Sequence, residues 1–178
     1  MMKRLRLNPI SLICLLFAAA VSAEAQPPIS ATVTGHITAE VITALSAIET
    51  SQLSFGKFSP GPQGGDLILT PQNTISALGS VWPGSGTHNA ASFYVTGDPG
   101  AAYSITLPAS PVTIRHMGTA RTMTVEEWRS VPEAAPGAGM LENGSQTVFV
   151  GATLKVGSLN DNPAGVYTGT YTITFDFN

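Results

Sequence analysis

Histidine is the side chain of this sequence best suited to acid–base chemistry or metal binding, and it occurs three times, as His36, His88 and His116. These residues are far apart along the chain, and no two have the short spacing of a metal-binding pair. The sequence also has no Gly-x-Ser-x-Gly elbow, no His-Glu-x-x-His motif and no phosphate-binding glycine loop followed by Lys. It therefore predicts a protein that is not an enzyme and uses no metal or cofactor.

Asn160-Asp161-Asn162 is a run of oxygen-bearing side chains that could contribute ligands to calcium. It holds a single carboxylate, whereas calcium sites usually combine several. Asn and Asp side chains also hydrogen-bond to nearby backbone and so start turns. We interpret the run as a turn that leads into the last strand.

The two tryptophans, Trp82 and Trp128, could stack on the rings of a sugar. Trp82 precedes a Gly/Ser-rich stretch that could form the lip of a glycan site, whereas Trp128 falls within a predicted strand. Large aromatic side chains more often serve core packing. The sequence favours core positions for both and leaves Trp82 as the candidate glycan contact.

The first 25 residues have the pattern of a signal peptide. Basic residues precede an apolar run over residues 10–21, and Ala23 and Ala25 supply the small residues of a signal peptidase site. We expect cleavage between Ala25 and Gln26, with cleavage after Ala23 as the alternative. The apolar run would reach about 18 Å as a helix, against a bilayer core of about 30 Å. The sequence thus predicts an exported protein whose mature chain has no transmembrane segment.

The mature chain is predicted to be acidic and free of thiols. From Gln26 onward it has five basic and ten acidic residues, a net charge of −5, and the basic residues are scattered. Nucleic acid is therefore not an expected partner. The sequence has one cysteine, Cys14, within the apolar run, so stability must come from the core and from any partner.

Residues 166–178 alternate strictly between two kinds of side chain. From Tyr167 onward the odd positions carry aromatic residues, Ile or Gly, and the even positions carry Thr, Asp or Asn. This period of two predicts a long, half-buried antiparallel strand. Because it ends the sequence, we expect the strand beside it to come from earlier in the chain or from another molecule. Its candidate acceptor edge consists of Tyr171, Ile173, Phe175 and Phe177.

A second run of period two covers residues 29–41. Gly35 divides it into an extension, residues 29–34, and a predicted first strand, residues 36–43. Ile29, Ala31 and Val33 share one face of the extension and could act as the knobs of a donor strand. Burying the four apolar side chains of the acceptor edge is worth roughly 6–12 kcal/mol, so that edge must be covered. The extension could cover it within its own chain or in another copy.

With these two runs included, the sequence predicts about nine short strands. Turn signals such as Gly97-Asp98-Pro99-Gly100 recur at intervals near ten residues, and no amphipathic helix is evident. We expect loops at residues 44–51, 59–65 and 131–143, the first with the option of one helical turn and the last mobile. The predicted fold is an all-β, immunoglobulin-like antiparallel β-sandwich, with a closed barrel as the alternative.

Three segments carry a resemblance to a known family: residues 53–61 (LSFGKFSPG), 91–108 (ASFYVTGDPGAAYSITLP) and 163–174 (PAGVYTGTYTIT). They resemble motifs of a domain-of-unknown-function family of exported bacterial β-proteins, across nearly the whole mature chain. That family is similar to chaperone–usher pilins and to spore coat protein U relatives. The resemblance implies an incomplete pilin-like subunit that a periplasmic chaperone caps and an outer-membrane usher assembles by strand exchange.

The sequence therefore predicts a signal peptide at residues 1–25, a donor extension at 26–35 and a β-sandwich at 36–178. The leading hypothesis is a structural subunit of a fimbria-like fibre, in the periplasm during transit and then at the cell surface or secreted. Its expected partners are further copies of itself or related subunits. The alternative is a self-complete secreted binding module, with Trp82 as a possible glycan contact.

Overall fold

The structure is a computed structural model, and it describes residues 30–177. The predicted signal peptide with its cleavage site at Ala25 and Gln26 lies outside the described residues, as do Cys14 and Ile29. The chain divides into two units, Met1–Glu40 and Val41–Asn178.

The described part of the first unit, residues 30–40, is in no strand. Its larger apolar side chains are almost fully exposed, at 94% for Val33 and 96% for Ile37. At the start of the second unit Val41 is similarly exposed, at 95%, and residues 41–45 are likewise outside any strand. The alternating pattern of this segment therefore continues past Gly35 as exposed apolar side chains.

The second unit contains all the described strands, and residues 30–177 contain no helix long and apolar enough to span a membrane. The strands are β1 Ser46–Ser51, β2 Phe58–Leu69, β3 Ile75–Pro83, β4 Ala91–Thr96, β5 Ala102–Thr106, β6 Val112–His116, β7 Thr122–Val131, β8 Gly139–Met140, β9 Ser145–Val156, β10 Tyr167–Thr168 and β11 Thr174–Phe177.

The strands form two antiparallel sheets, and β9 is the centre of the larger one. One edge of β9 pairs with β4 and, further along, with β2, while its other edge pairs with β7. The path β1-β4-β9-β7-β6-β10 forms the larger sheet, with the β2–β3 hairpin attached to β9, and β11-β5-β8 forms the smaller one. The prediction of an all-β antiparallel sandwich is confirmed, with eleven strands instead of about nine.

The core consists of two clusters of buried side chains. Leu67, Val125 and Leu154 belong to the first cluster. The second includes Val95, Tyr103 and Val150. Inward residues alternate along the strands, as expected for a sheet with one buried face. Leu53 and Trp128 pack against both clusters and so link them.

Several N-terminal predictions are wrong. Residues 36–43 are in no strand, because alternation specifies an extended chain but does not supply a ladder partner. Residues 44–51, expected to be a loop or helical turn, contain the edge strand β1, whose exposed face gave no apolar alternation. Residues 59–65 lie within β2, where four residues bulge out between the pairs Pro60–Val81 and Gly65–Gly79.

The predicted C-terminal strand is divided into two short strands. Tyr167 and Thr168 pair with β6 in the larger sheet, whereas Thr174–Phe177 pairs with β5 in the smaller sheet. Residues 169–173 cross between the sheets and are in no strand. The loop expected at residues 131–143 also differs from the prediction, since it carries β8 and the fully buried Leu141.

Candidate functional site

An apolar groove of about 810 Å³ opens in the second unit. Residues 52–60 form one wall and residues 163–171 form the other. The side chains between the walls are mostly members of the first core cluster or pack against it: Val112, Ile114, Met123, Val125, Trp128 and Leu154. A partly uncovered core thus lies between two lengths of backbone.

The first wall owes its apolar face to a short alternation. Leu53, Phe55 and Phe58 pack against the first core cluster, and the residues between them are small or polar. The backbone of residues 52–57 has little pairing of its own. Within the described chain its partners are a bridge between Ser54 and Asn89, a bond from the Gly84 N–H to the Lys57 carbonyl, and a bond from the Gly56 N–H to Ser54 Oγ.

The second wall is held in place by His116 at the end of β6. The Gly118 N–H donates to His116 Nδ1 (2.9 Å), so Nε2 carries the proton and donates to the Ala164 carbonyl (3.2 Å). The imidazole also meets the Tyr167 ring edge-on, with 5.0 Å between centroids. The Tyr167 hydroxyl in turn donates to the Pro163 carbonyl at 3.0 Å. His116 therefore fixes the turn that begins this wall.

A β-bulge in β7 places Trp128 in the groove. Glu126 pairs with Thr153 and Arg129 with Gly151, so β7 has one more residue than β9 in this interval. Glu127 takes a left-handed conformation with φ 51°. The extra residue reverses the alternation, so that Trp128 packs inward where the preceding parity would have put Glu127.

Trp128 and Tyr171 are in direct contact at the side of the groove. Their ring centroids are 4.7 Å apart with the planes tilted by 33°. Trp128 Nε1 and the Tyr171 hydroxyl are buried and have no hydrogen-bond partner among the described residues. Burial, with a smaller contribution from the Glu49 carboxylate, raises the pKa of Tyr171 above its ordinary value. Each unpaired buried group costs about 1–3 kcal/mol, so the single chain leaves this corner incompletely satisfied.

The backbone of each wall contains a stretch without ladder partners, although residues 58–60 pair with β3 and residues 167–168 pair with β6. Residues 169–173 take part in no ladder within the described chain, and residues 55–57 are also outside any strand. Backbone without ladder partners leaves N–H and C=O groups that another strand can use. The arrangement can accept an extended peptide with alternating apolar side chains.

The structure brings one of the four predicted acceptor residues to the groove. Tyr171 lines it, whereas Ile173, Phe175 and Phe177 pack on the second core cluster. Phe175 contacts the rings of Phe93 and Tyr103, at 6.0 and 6.1 Å between centroids. Of the proposed donor residues, Ile29 lies outside the described residues, and Ala31 and Val33 are exposed.

Of the other candidate residues, His88 and the run at residues 160–162 have structural roles, whereas His36 is exposed. His88 Nε2 lies 3.1 Å from the Asn73 carbonyl, and Asn162 Nδ2 donates to the Thr122 carbonyl at 2.8 Å. The backbone N–H groups of Asp161 and Asn162 both donate to the Ser158 carbonyl. These bonds make the run a turn. No group of three or more His, Cys, Asp or Glu side chains suited to a metal ion occurs within residues 30–177.

The two tryptophans have opposite environments. Trp128 packs between the core clusters, as predicted, whereas the prediction of a core position for Trp82 is wrong. Trp82 lies near the end of the hairpin strand β3 and is 58% exposed. Its ring packs so closely over Gly61 that a Cβ there would come within 2.8 Å of it.

Sequence reasoning missed the first wall of the groove and the role of Trp128. The alternation of Leu53 and Phe55 is visible in the sequence, but alternation alone does not distinguish an unpaired wall from an ordinary strand. The signal for the bulge is the Glu126-Glu127 pair, which interrupts the apolar alternation of Met123 and Val125 just before Trp128.

Comparison with known proteins gives one family match. A family model described as "Domain of unknown function (DUF4402)" matches residues 45–177, which include both walls of the groove. No curated protein matches the chain.

Proposed function

Since the chain belongs to the DUF4402 family, whose description assigns no function, we propose from the groove that the protein is a non-enzymatic structural subunit that accepts a strand from another copy. Repeated strand exchange of this kind would build a fimbria-like fibre. The observation that carries the proposal is the apolar groove between two lengths of backbone with few ladder partners.

The side chains of the groove support an extended peptide as the occupant. Val112, Ile114 and Met123 lie along it, and none of the three is charged. An added strand would bury this apolar surface and also pair with the backbone of the walls. Both gains come from one ligand, whereas a small apolar molecule would leave the backbone groups unpaired.

The chain itself contains a segment with the required chemistry. Val33, Ile37 and Val41 have the same parity and are each more than nine-tenths exposed. Exposed apolar side chains in regular alternation are costly in water and are typical of a surface that binds a partner. We therefore extend the proposed donor strand beyond Ile29, Ala31 and Val33 to include Ile37 and Val41.

The same proposal includes export and assembly partners. A subunit with an open groove needs protection before assembly, because exposed backbone edges promote aggregation. A periplasmic chaperone and an outer-membrane usher would provide this protection and the site of assembly. The final location is then the cell surface or the medium.

A second candidate function is suggested by Trp82. An indole that is 58% exposed on a strand could stack on a sugar ring, as expected of a secreted binding module. The two candidates use different regions, since Trp82 does not line the groove.

The strand-exchange proposal is tested by the size of the chain in solution. We expect residues 26–178 to form multimers that increase with concentration, and we expect Ile37→Asp to prevent them because it places a charge in an apolar groove. Thr38→Asp is the matched control, since it has the opposite parity and should still assemble. The measurement is light scattering coupled to size-exclusion chromatography.

A chain that stays monomeric at every concentration, or that assembles equally well with Ile37→Asp, would contradict the proposal. Trp82→Ala separates the second candidate, because it should abolish binding on a glycan array and leave assembly unchanged.

A further inference from the structure

A second hollow, which shares no lining residue with the groove, lies on the outer face of the larger sheet. Its volume is about 450 Å³, within the range of small-molecule sites. It lies between the turn at residues 71–73, the start of β4 and the cross-strand pair Phe149–Val131, and we call it the outer hollow. Because Val148 and Val150 are buried in the core, Phe149 between them faces outward, and it is 43% exposed.

The outer hollow forms where two strands share one edge of β9. β4 pairs with β9 as far as Val150, and β2 pairs with it from Ala152 onward, so the two strands meet beside Gly151. A Cβ on Gly151 would come within 2.8 Å of Pro71 N. The absence of a side chain at Gly151 therefore lets the turn after β2 pass close to β9 and wall the space beside Phe149.

Hydrogen bonds tie this turn to the start of β4. Asn73 has a left-handed φ of 62°, and its N–H donates to the Thr70 carbonyl at 3.0 Å. Asn73 Oδ1 accepts from the Ala90 N–H at 2.8 Å, and the Asn73 carbonyl lies 3.1 Å from His88 Nε2. The wall is thus fixed before a ligand arrives, which lowers the entropic cost of binding.

The outer hollow combines an exposed aromatic ring with neutral polar groups. None of the described residues that line it is charged, and the polar ones are Ser51, Gln72, Asn73, Asn89 and Ser92. The side-chain amides of Gln72 and Asn89 are exposed and make no hydrogen bond to another described residue. An anion or a metal ion would lack the opposite charge that binds it, and a hydrocarbon would leave the amides unused.

We propose that the outer hollow binds a neutral sugar residue. A pyranose ring has a face of C–H groups that stacks on Phe149, and its hydroxyl groups both donate and accept hydrogen bonds. The amides of Gln72 and Asn89 also offer donors and acceptors, so the match requires no charge. Trp82 does not line the outer hollow, and binding there does not depend on strand exchange.

Saturation-transfer NMR tests the site with residues 26–178 and the methyl glycosides of glucose, galactose, mannose and N-acetylglucosamine. We expect the protein to transfer saturation to at least one of them. Phe149→Ala should raise the Kd of that glycoside at least about fivefold, because the stacking surface is lost. Gln72→Ala and Asn89→Ala should each raise it about two- to tenfold. The denaturation midpoint of each variant checks that it remains folded.

Tyr94→Ala is the matched control. Tyr94 is 41% exposed on the same outer face, where it pairs with Thr147, but it does not line the outer hollow. This variant should leave the Kd within about twofold of the parent value.

Three outcomes would overturn the proposal. They are no saturation of any neutral glycoside, an equal loss of binding in Tyr94→Ala and Phe149→Ala, and tighter binding of the methyl glycoside of sialic acid, which carries a carboxylate. A loss confined to Trp82→Ala would also overturn it, because sugar binding would then belong to Trp82. Multimer formation reports on strand exchange separately, and Phe149→Ala should leave it unchanged.

Discussion

Strand β9 and the C-terminal segment 167–177 both alternate apolar and polar residues, but they are paired very differently. Ladders cover both edges of β9, with β4 and β2 on one side and β7 on the other. The C-terminal segment has short ladders at its two ends and none over residues 169–173. The same sequence pattern thus gives a closed centre in one region and an open wall in the other.

The difference shows that burial of side chains and pairing of backbone are separate requirements. Tyr171 and Phe175 pack on the second core cluster, although Tyr171 lies in the unpaired part of the chain. In β9, Val148 and Val150 satisfy both requirements within one molecule. We therefore expect changes in β9 to affect the stability of the single chain and changes along the groove to affect association.

The largest expected loss of stability follows from truncation in β9. Leu154 is 1% exposed and belongs to the first core cluster. Leu154→Ala should lower the free energy of unfolding by about 2–5 kcal/mol, because it removes buried methyl groups and leaves a cavity. Urea denaturation checks this value, and a loss below about 1 kcal/mol would show that the centre of the sheet is not tightly packed.

The next effect concerns alkaline pH. Burial raises the pKa of Tyr103 to about 12, and its hydroxyl donates to Gln146 Oε1 at 2.7 Å. The folded-state pKa lies above the ordinary value of about 10. Protonated Tyr103 therefore contributes stability that is complete below pH 10 and is lost as the pH rises from 10 toward 12. A shift of about two pKa units corresponds to about 3 kcal/mol of unfolding free energy.

Tyr103→Phe is the variant that isolates this effect. It should cost about 1 kcal/mol at pH 7 through the lost hydrogen bond, yet it should reduce the slope of stability against pH above 10. The measurement is the denaturation midpoint between pH 8 and 12. An unchanged slope in the variant would mean that another group controls alkaline unfolding.

A smaller effect is expected at the groove, where Ile114 is half-buried. Ile114→Ala should cost the single chain about 1 kcal/mol, because the side chain keeps part of its exposure. It should also reduce the thermal stabilisation given by a peptide of residues 31–43, whereas Val148→Ala, in a part of β9 that does not line the groove, should leave that increment unchanged. If the peptide stabilised both variants equally, the contrast between the groove and the centre of β9 would be contradicted.

The smallest expected effect lies in the ion-pair cluster of β9. Lys155 Nζ lies 2.9 Å from Asp66, 3.4 Å from Glu126 and 3.8 Å from Glu127, and hydrogen bonding to Asp66 raises its pKa. These side chains are about one-third exposed or more, so Lys155→Met should cost only about 0.2–1 kcal/mol. The loss should shrink further in 1 M salt, which thermal melts at two salt concentrations would measure.

The sequence predicted best where turn chemistry and alternation agree. Ala91–Thr96 and Ala102–Thr106 flank the turn expected at residues 97–100. The turn is set by residues adjacent in the chain, and Val95 and Ile105 on its two sides are both buried in the core. The sandwich class followed from the number of such segments.

The sequence predicted least where a strand depends on its partner. Alternation over residues 36–43 and 167–178 specified an apolar face, but it could not say which backbone would pair with it. Edge strand β1 was missed for the opposite reason, since residues such as Ile48 and Glu49 pair with β4 while remaining exposed. The groove arises from distant segments and from the bulge at Glu127, so no local pattern revealed it.

Hydrogen exchange, measured by mass spectrometry, of residues 26–178 with and without the peptide of residues 31–43 tests the central claim most directly. We predict that the free monomer exchanges rapidly at residues 55–57 and 169–173 and slowly in β9. The added peptide should protect those two segments and leave the rate in β9 almost unchanged. Slow exchange at both segments in the free monomer, or no protection by the peptide, would contradict an open groove that accepts a strand.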